Sequence, residues 1–315
     1  AALTESFPIG GKDIHIHANV GIFHRNEGTQ AEDPLKSVTN AVNYAKYMGG
    51  GQIQTYNKQL HANLVRIREL QAEISVGIKE DQFYLMYQPV VSLENNALVG
   101  VEALIRWNHP KKGLLYPDQF IDLAEQNGTI VDLDFWVINT ACKQLKRWID
   151  AGKKPAGISV NISAKTFEGK RFVPAILDIL SHYRIQPDLL QLEITERMVI
   201  NNIEESIARL NELRAAGIHI AIDDFGIGYS SLSYIIRLPI DTIKIDKSFI
   251  RNMSTSSEAK VLVATIINLC KSLRYNVIAE GIESREELEY LKKSKCSMGQ
   301  GYYFSKPVSS DKIKI

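Results

Sequence analysis

The chain has 315 residues, 45% hydrophobic and 23% charged, enough apolar material for one large barrel-sized domain plus an appendage. A formal net charge of +1 gives no field of one sign, which argues against a nucleic-acid polymer or a membrane surface as the main partner. Cys142, Cys270 and Cys296 form no CxxC pair, which suits a reducing compartment and gives neither a disulfide framework nor a zinc site.

The pattern divides the chain into residues 1–60, 61–79 and 80–315. The opening "AALTESFPIGGKD" shows no signal peptide and reads as the interior of a longer chain, with room for an upstream membrane anchor or sensor. No apolar run approaches the ~20 residues that a membrane span needs. In the first section "KDIHIHANVGIF" alternates like a strand, and "PLKSVTNAVNYAKYM" predicts a helix stopped by Gly49, Gly50 and Gly51. So short a section makes a marginal core and is read as part of a domain. The second section is a connector helix. Leu64, Ile67, Leu70, Ile74 and Ile78 form one apolar stripe, better suited to packing on a neighbouring domain than to a coiled coil.

From residue 80 onward, short β-rich runs alternate with amphipathic helices. The strand candidates are "FYLMYQPVV", "ALVGVEALI", "GISVNIS", "LLQLEIT", "IHIAIDD", "TIKID", "NVIAEGI" and "MGQGYYF". Between most of them lie helical segments such as "LDFWVINTACKQLKRWIDAG" and "SEAKVLVATIINLCKSL". Repeated βα units predict an α/β fold, and their number favours a closed, TIM-like (β/α)8 barrel. The short "SLENNA" link cannot make a parallel crossover, so the first two strands are expected to be antiparallel.

The ends of these runs carry Glu102, Asn161, Glu193 with Glu196 just beyond, Asp223 with Asp224, Lys244 with Asp246, Glu280 with Glu283, and Gln300. A parallel barrel builds its active site from such strand ends. One buried acid is usually structural, but five or more at one mouth would repel one another unless cations neutralised them. Oxygen donors without histidine or thiolate select magnesium or manganese. Asp223 and Asp224, delivered side by side into a glycine-rich turn, can bracket two metals roughly 3.5–4 Å apart, the apparatus of phosphodiester hydrolysis. Lys244 fits as a cation holding the water or a phosphate oxygen, and Arg106 as a clamp on a second phosphate.

The motifs "YQPVV", "EALIRW", "VNIS", "LEITE", "DDFGIGYSSL", "IKIDKSFI", "AEGIE" and "GQGYYFSKP" occur in the order found in the EAL domain family. Residues 80–308 thus resemble the bacterial cyclic-di-GMP phosphodiesterases. The resemblance implies a TIM-like barrel with one antiparallel strand, and metal ligands at Glu102, Asn161, Glu193, Asp223 and Asp224. It implies catalytic roles for Glu102, Lys244 and Glu280, the last as a metal contact or general base. Gln88, Leu104, Arg106, Asp246 and Gln300 would shape the dinucleotide site, Glu196 would brace the loop after Asp224, and Glu283 would stand behind the ligands. The implied reaction is hydrolysis of cyclic-di-GMP to linear pGpG in cytoplasmic signalling, with a two-metal Mg2+ or Mn2+ site and a homodimer formed through the barrel. Where the family commonly has threonine, this chain has Ile227, from which reduced activity or altered regulation is expected. "ANVGIF" and "NAVNYAKYMGGGQIQTYN" resemble the end of a GGDEF domain. The signature itself is absent, so residues 1–60 are read as a degenerate fragment, α+β in character and without cyclase activity.

Blander readings stand beside these. His15 and His17 share a strand face and read as surface rather than a metal pair. His109 reads as a turn residue beside the mouth. Phe135, Trp136 and Trp148 read as core, and Lys111 and Lys112 as a solvated turn. Gly49 to Gly51 lack the lysine of a phosphate loop. Lys244 among carboxylates keeps its proton, which opposes a Schiff-base role. The rival to the enzyme is a cyclic-di-GMP receptor, catalytically weak or inactive, that signals through the connector helix. The full ligand set speaks against it. A barrel acting on another phosphodiester is a third reading, separated by ligand size.

Overall fold

The computed structural model describes residues 7–9, 12–14, 18–24, 33–47, 51–200, 202–226, 235–254 and 256–314. The expectations placed on His15, His17, Gly49, Gly50 and Ile227 lie outside these residues. Two compact units divide between Ser75 and Val76.

In the first unit Phe7–Ile9 pairs antiparallel with Lys12–Ile14, and Val20–Ile22 pairs in parallel with Ile53–Thr55. The helix Pro34–Tyr47 lies close against the parallel pair. A Cβ on Gly21 would come within 2.5 Å of the Val38 carbonyl oxygen, so only glycine fits at that crossing. Ala41, Leu60 and Leu64 form a small core with Tyr44 and Tyr56 packed on it. The connector helix runs Lys58–Lys79, three residues longer at its start than the sequence pattern predicts. The Asn57 carboxamide oxygen accepts from the Leu60 N–H at 2.7 Å and secures that first turn. Leu64, Leu70 and Ile74 of the stripe are buried.

The second unit is a closed barrel of eight strands: β1 (Phe83–Ser92), β2 (Leu98–His109), β3 (Ile158–Asn161), β4 (Leu190–Thr195), β5 (His219–Phe225), β6 (Thr242–Ile245), β7 (Asn276–Ala279) and β8 (Met298–Gly299). Around the barrel the order is β1-β8-β7-β6-β5-β4-β3-β2, and pairing of β1 with β2 closes it. β1 is antiparallel to both of its neighbours and every other pairing in the ring is parallel, as the short link between the first two strands requires. A short strand, Gly113–Leu115, folds back on the end of β2, and His109 organises that turn. Its Nδ1 accepts from the Lys111 N–H at 3.1 Å, and its ring packs 4.8 Å from Trp107.

Each parallel strand alternates because the two faces of the barrel differ. Ile158 and Val160, Leu190 and Leu192, Ile220 and Ile222, Ile243 and Ile245 are buried. They face outward, beneath helices such as Ile130–Asp150 and Ser257–Ser272. The intervening positions face the barrel interior and, apart from Ala221, are polar: Ser159, Gln191 and Lys244. On the antiparallel side, Phe83 stacks on Trp107 at 4.8 Å, and Phe120 meets both rings. Trp148 is buried as expected, whereas Phe135 and Trp136 are only half-buried. One expectation needs correction. "MGQGYYF" contributes only Met298 and Gly299 to the sheet, and residues 301–304 turn away over the barrel mouth.

Candidate active site at the barrel mouth

The C-terminal strand ends bring one lysine and four acids together. Lys244 on β6 is 1% exposed, and its Nζ lies 2.6 Å from Glu193 Oε2 and 2.6 Å from Glu280 Oε1. Asp223 Oδ1 follows at 3.4 Å and Glu102 Oε2 at 3.8 Å. Burial alone would lower the Lys244 pKa, but the carboxylates of Asp223, Glu102, Glu193 and Glu280 outweigh it and hold the ammonium well above its ordinary value. The acids respond in the opposite sense. Burial pushes Glu193 up to about 8, with Lys244 opposing and Glu102 and Asp223 adding to the rise. Burial likewise raises Glu280 well above the usual carboxylate range.

Side-chain amides fix Glu102. Its Oε1 accepts from Asn161 Nδ2 at 2.8 Å and its Oε2 from Gln300 Nε2 at 2.6 Å. Asp223 and Asp224 reach the same end of the barrel through a local distortion. The register of β5 against β6 shifts between Ile222 and Phe225, and Asp224 takes a left-handed φ of 54°. That conformation is uncommon for a residue with a Cβ and marks a site where the surrounding structure holds the backbone in place. The Asp224 N–H donates to Asp223 Oδ1 at 2.9 Å. Burial, then the charges of Asp223 and Asp246, raise the Asp224 pKa.

A cavity of about 240 Å3 opens on this cluster, lined by Gln88, Glu102, Leu104, Asp223, Glu280 and Gln300. Lys247, Arg251, Glu283 and Tyr302 also line it. Of these four, sequence reasoning singled out only Glu283, although Lys247 directly follows Asp246. Glu283 is engaged by Arg251 at 2.5 Å. Asp246 caps the helix Lys247–Asn252 by accepting from the Ser248 N–H at 2.9 Å. Glu196 opens the helix after β4 and is buried. Arg106 does not line this cavity. It donates to the Ile105 carbonyl and lies 5.2 Å over the Tyr116 ring. A larger cavity of about 590 Å3 sits at the opposite, N-terminal strand ends. Its half-buried Asp241 is already engaged by Arg214 and by the Ile220 N–H, so the smaller cavity is the one beside reactive groups.

The donors at the mouth are all oxygen, the set that hard divalent cations take. Glu193 Oε1 is buried and has no hydrogen-bond partner, an acceptor left open inside the cluster. Among the described residues no three acids, cysteines or histidines stand close enough to hold an ion as they are, because the Lys244 ammonium occupies the centre. The donor chemistry fits a divalent cation. Its arrival would require the acids to share themselves between it and Lys244.

A closed α/β barrel with a buried acid–lysine cluster at the strand ends has the architecture of a barrel enzyme. The EAL domain model matches residues 69–307, and the chain belongs to the EAL domain family. It is 36% identical over 307 residues to the cyclic di-GMP phosphodiesterase NbdA of Pseudomonas aeruginosa, covering 97% of this chain and 39% of the relative. It is 33% identical to the bifunctional diguanylate cyclase/cyclic di-GMP phosphodiesterase MucR of the same organism, covering 99% of this chain and 46% of the relative. The chain thus spans less than half the length of these two relatives. Among solved structures, the PaMucR phosphodiesterase in complex with c-di-GMP superposes with a TM-score of 0.75 at 37% identity, covering 77% of this chain and 98% of that one. The EAL enzyme Bd1971, bound to cAMP and cyclic-di-GMP, gives 0.74 at 35% identity, with 79% and 68% covered.

Proposed function

We propose that this chain hydrolyses cyclic-di-GMP to linear pGpG with Mg2+ or Mn2+ as the divalent metal. The observation that carries the reading is the buried cluster of Glu102, Glu193, Asp223 and Glu280 around Lys244, with Glu193 Oε1 open. Glu102, Asn161, Glu193, Asp223 and Asp224 would hold the metal pair. When bound, such a pair lowers the pKa of a water and offsets negative charge on the phosphate. Glu280 takes the proton that the attacking water gives up, and the adjacent Lys244 ammonium stabilises the carboxylate before transfer. Lys244 also supplies fixed positive charge where the phosphate becomes more negative. Water adds to phosphorus, the bond to the 3′ oxygen breaks, and that oxygen leaves as a 3′ hydroxyl with a proton from solvent, to which Glu280 returns the one it took. Gln88, Leu104, Gln300 and Tyr302 border the dinucleotide at the cavity, and Arg106 and Asp246, outside that lining, are proposed as further dinucleotide contacts. Glu196 and Glu283 support the elements carrying these groups.

The same reading makes the nucleotide's compartment, the cytoplasm, the place of action, and a homodimer through the barrel the working assembly. Residues 1–60 are proposed to be a GGDEF remnant without cyclase activity. The test is turnover of cyclic-di-GMP with added Mg2+ or Mn2+, with Glu102→Ala as the control. The expected result is pGpG from the parent and none from the variant. Tight binding without product in excess Mn2+ would overturn the enzyme in favour of a receptor.

A further inference from the structure

The two glutamines at the mouth are bonded in a way that contact with a ligand does not explain. Gln300 Nε2 donates both to Glu102 Oε2, at 2.6 Å, and to Gln88 Oε1, at 3.0 Å. Gln88 Nε2 in turn donates to the backbone carbonyl of Ser305 at 3.0 Å. Gln88, Gln300 and Glu102 are each less than 10% exposed, at 8%, 4% and 6%. Reversing either glutamine amide would leave buried acceptors facing one another.

The direction of this chain is set at one end. A backbone carbonyl only accepts, so Gln88 must turn its NH2 toward Ser305 and its oxygen toward Gln300. Gln300 must then present its NH2, whose two hydrogens serve Gln88 and Glu102. Both donors are used within the protein. Its oxygen is buried with no partner and is the only polar atom it has left to offer.

Ser305 is itself held firmly. The segment 300–308 is tied at one end by the Gln300 N–H to the Ala279 carbonyl and the Ile282 N–H to the Gln300 carbonyl. At the other end Tyr87 and Val308 exchange hydrogen bonds of 2.7 and 2.9 Å. In between, a Cβ on Gly301 would fall 2.1 Å from the Ile282 carbonyl oxygen, so the segment lies directly on the backbone after β7.

We propose that residues 300–308 form a strap that orients Glu102 for the divalent cation, with Gln88 and Gln300 acting as positioning residues in a one-way amide relay. The inference rests on the metal-dependent reading above and reassigns two residues from ligand contact to metal-site geometry. It also gives residues 300–308 a reason to be packed so tightly, since the Ser305 carbonyl is the fixed end of the relay.

The test is Mn2+ binding to the 315-residue chain without dinucleotide, followed by electron paramagnetic resonance. Gln300→Leu, which keeps the volume and removes the donor, should weaken Mn2+ binding by roughly 10- to 100-fold. Gln88→Met should weaken it in the same direction, and the double variant should lose no more than Gln300→Leu alone, because both act through one carboxylate. Ligand contact alone predicts unchanged Mn2+ affinity with a raised KM for cyclic-di-GMP, and that outcome overturns the relay while leaving the enzyme intact. A parent that binds no Mn2+ overturns both readings. A measurement on the parent covers variants that fail to fold. The side-chain NH2 protons of Gln88 and Gln300 should exchange slowly in the metal-free protein, and exchange as fast as that of exposed glutamines would overturn the relay.

Discussion

Asp134 lies on the buried face of the helix Ile130–Asp150, where its Oδ2 accepts from the Ser163 N–H at 2.9 Å and the Ser163 hydroxyl at 2.6 Å. Burial pushes its pKa up from 3.8 to about 6, despite those hydrogen bonds. The folded protein therefore holds this proton more tightly than the unfolded chain. The stabilisation is complete below about pH 4 and is lost as pH rises through about 6, on the order of 3 kcal/mol in all. Asp134→Asn should remove this slope, so that the variant gains on the parent between about pH 4 and 7 in urea titrations. A parent-minus-variant difference that stays flat would refute the assignment. The sequence carried the signal, since Asp134 falls in phase with Ile130, Leu133 and Val137 on an apolar face. The acids at the strand ends were legible for the same reason, as polar residues in runs otherwise rich in isoleucine, leucine and valine. What could not be read was how closely Lys244 is held, with Nζ 2.6 Å from both Glu193 and Glu280. Its removal in Lys244→Met leaves Glu193 and Glu280 without the cation 2.6 Å away. A loss of about 3–5 kcal/mol in urea unfolding is expected, partly restored by added Mn2+. Unchanged stability would mean that the acids are already protonated in the fold.

At the scale of elements, strand and helix positions followed hydrophobic period closely, and the misreading came where composition misled. "MGQGYYF" has the aromatic content of a strand, yet Tyr302 and Tyr303 are exposed and Gly301 bends the chain against Ile282. The clue was Gly301 within the run, a sign of close backbone approach. Gly301→Ala should cost about 3 kcal/mol or more, because the colliding atoms are backbone and cannot swing aside. Ser284→Ala provides the contrast. Ser284 and Glu287 form a capping box at the helix Arg285–Lys293, and its loss should cost about 1 kcal/mol without changing turnover. Urea unfolding and pGpG formation on both variants separate the two cases. Equal effects on turnover would mean that the segment after Gly301 does not matter to the site.

At the scale of the whole molecule, the barrel was legible because βα units repeat along residues 80–315 in the number a closed barrel needs, and because the first link is too short for a crossover. The pairing of β1 with β8 and the meeting of seven strand ends on one cluster depend on register, which single strands do not encode. The division at Ser75 and Val76 falls within one helix, Lys58–Lys79, so no break in periodicity announced it. Every candidate site residue lies beyond that division, and the barrel sheet closes using residues 83–299 alone. Among the described residues of the first unit, by contrast, the core cluster is Ala41, Leu60 and Leu64, small for an independent fold. Residues 58–315, with the helix kept whole, should therefore fold cooperatively, bind Mn2+ as tightly as the 315-residue chain and hydrolyse cyclic-di-GMP. Residues 1–57 alone should show no cooperative thermal transition. Circular dichroism and Mn2+ titration of both pieces decide the matter. A truncated barrel that melts without cooperativity would make the first unit part of the fold that holds the site.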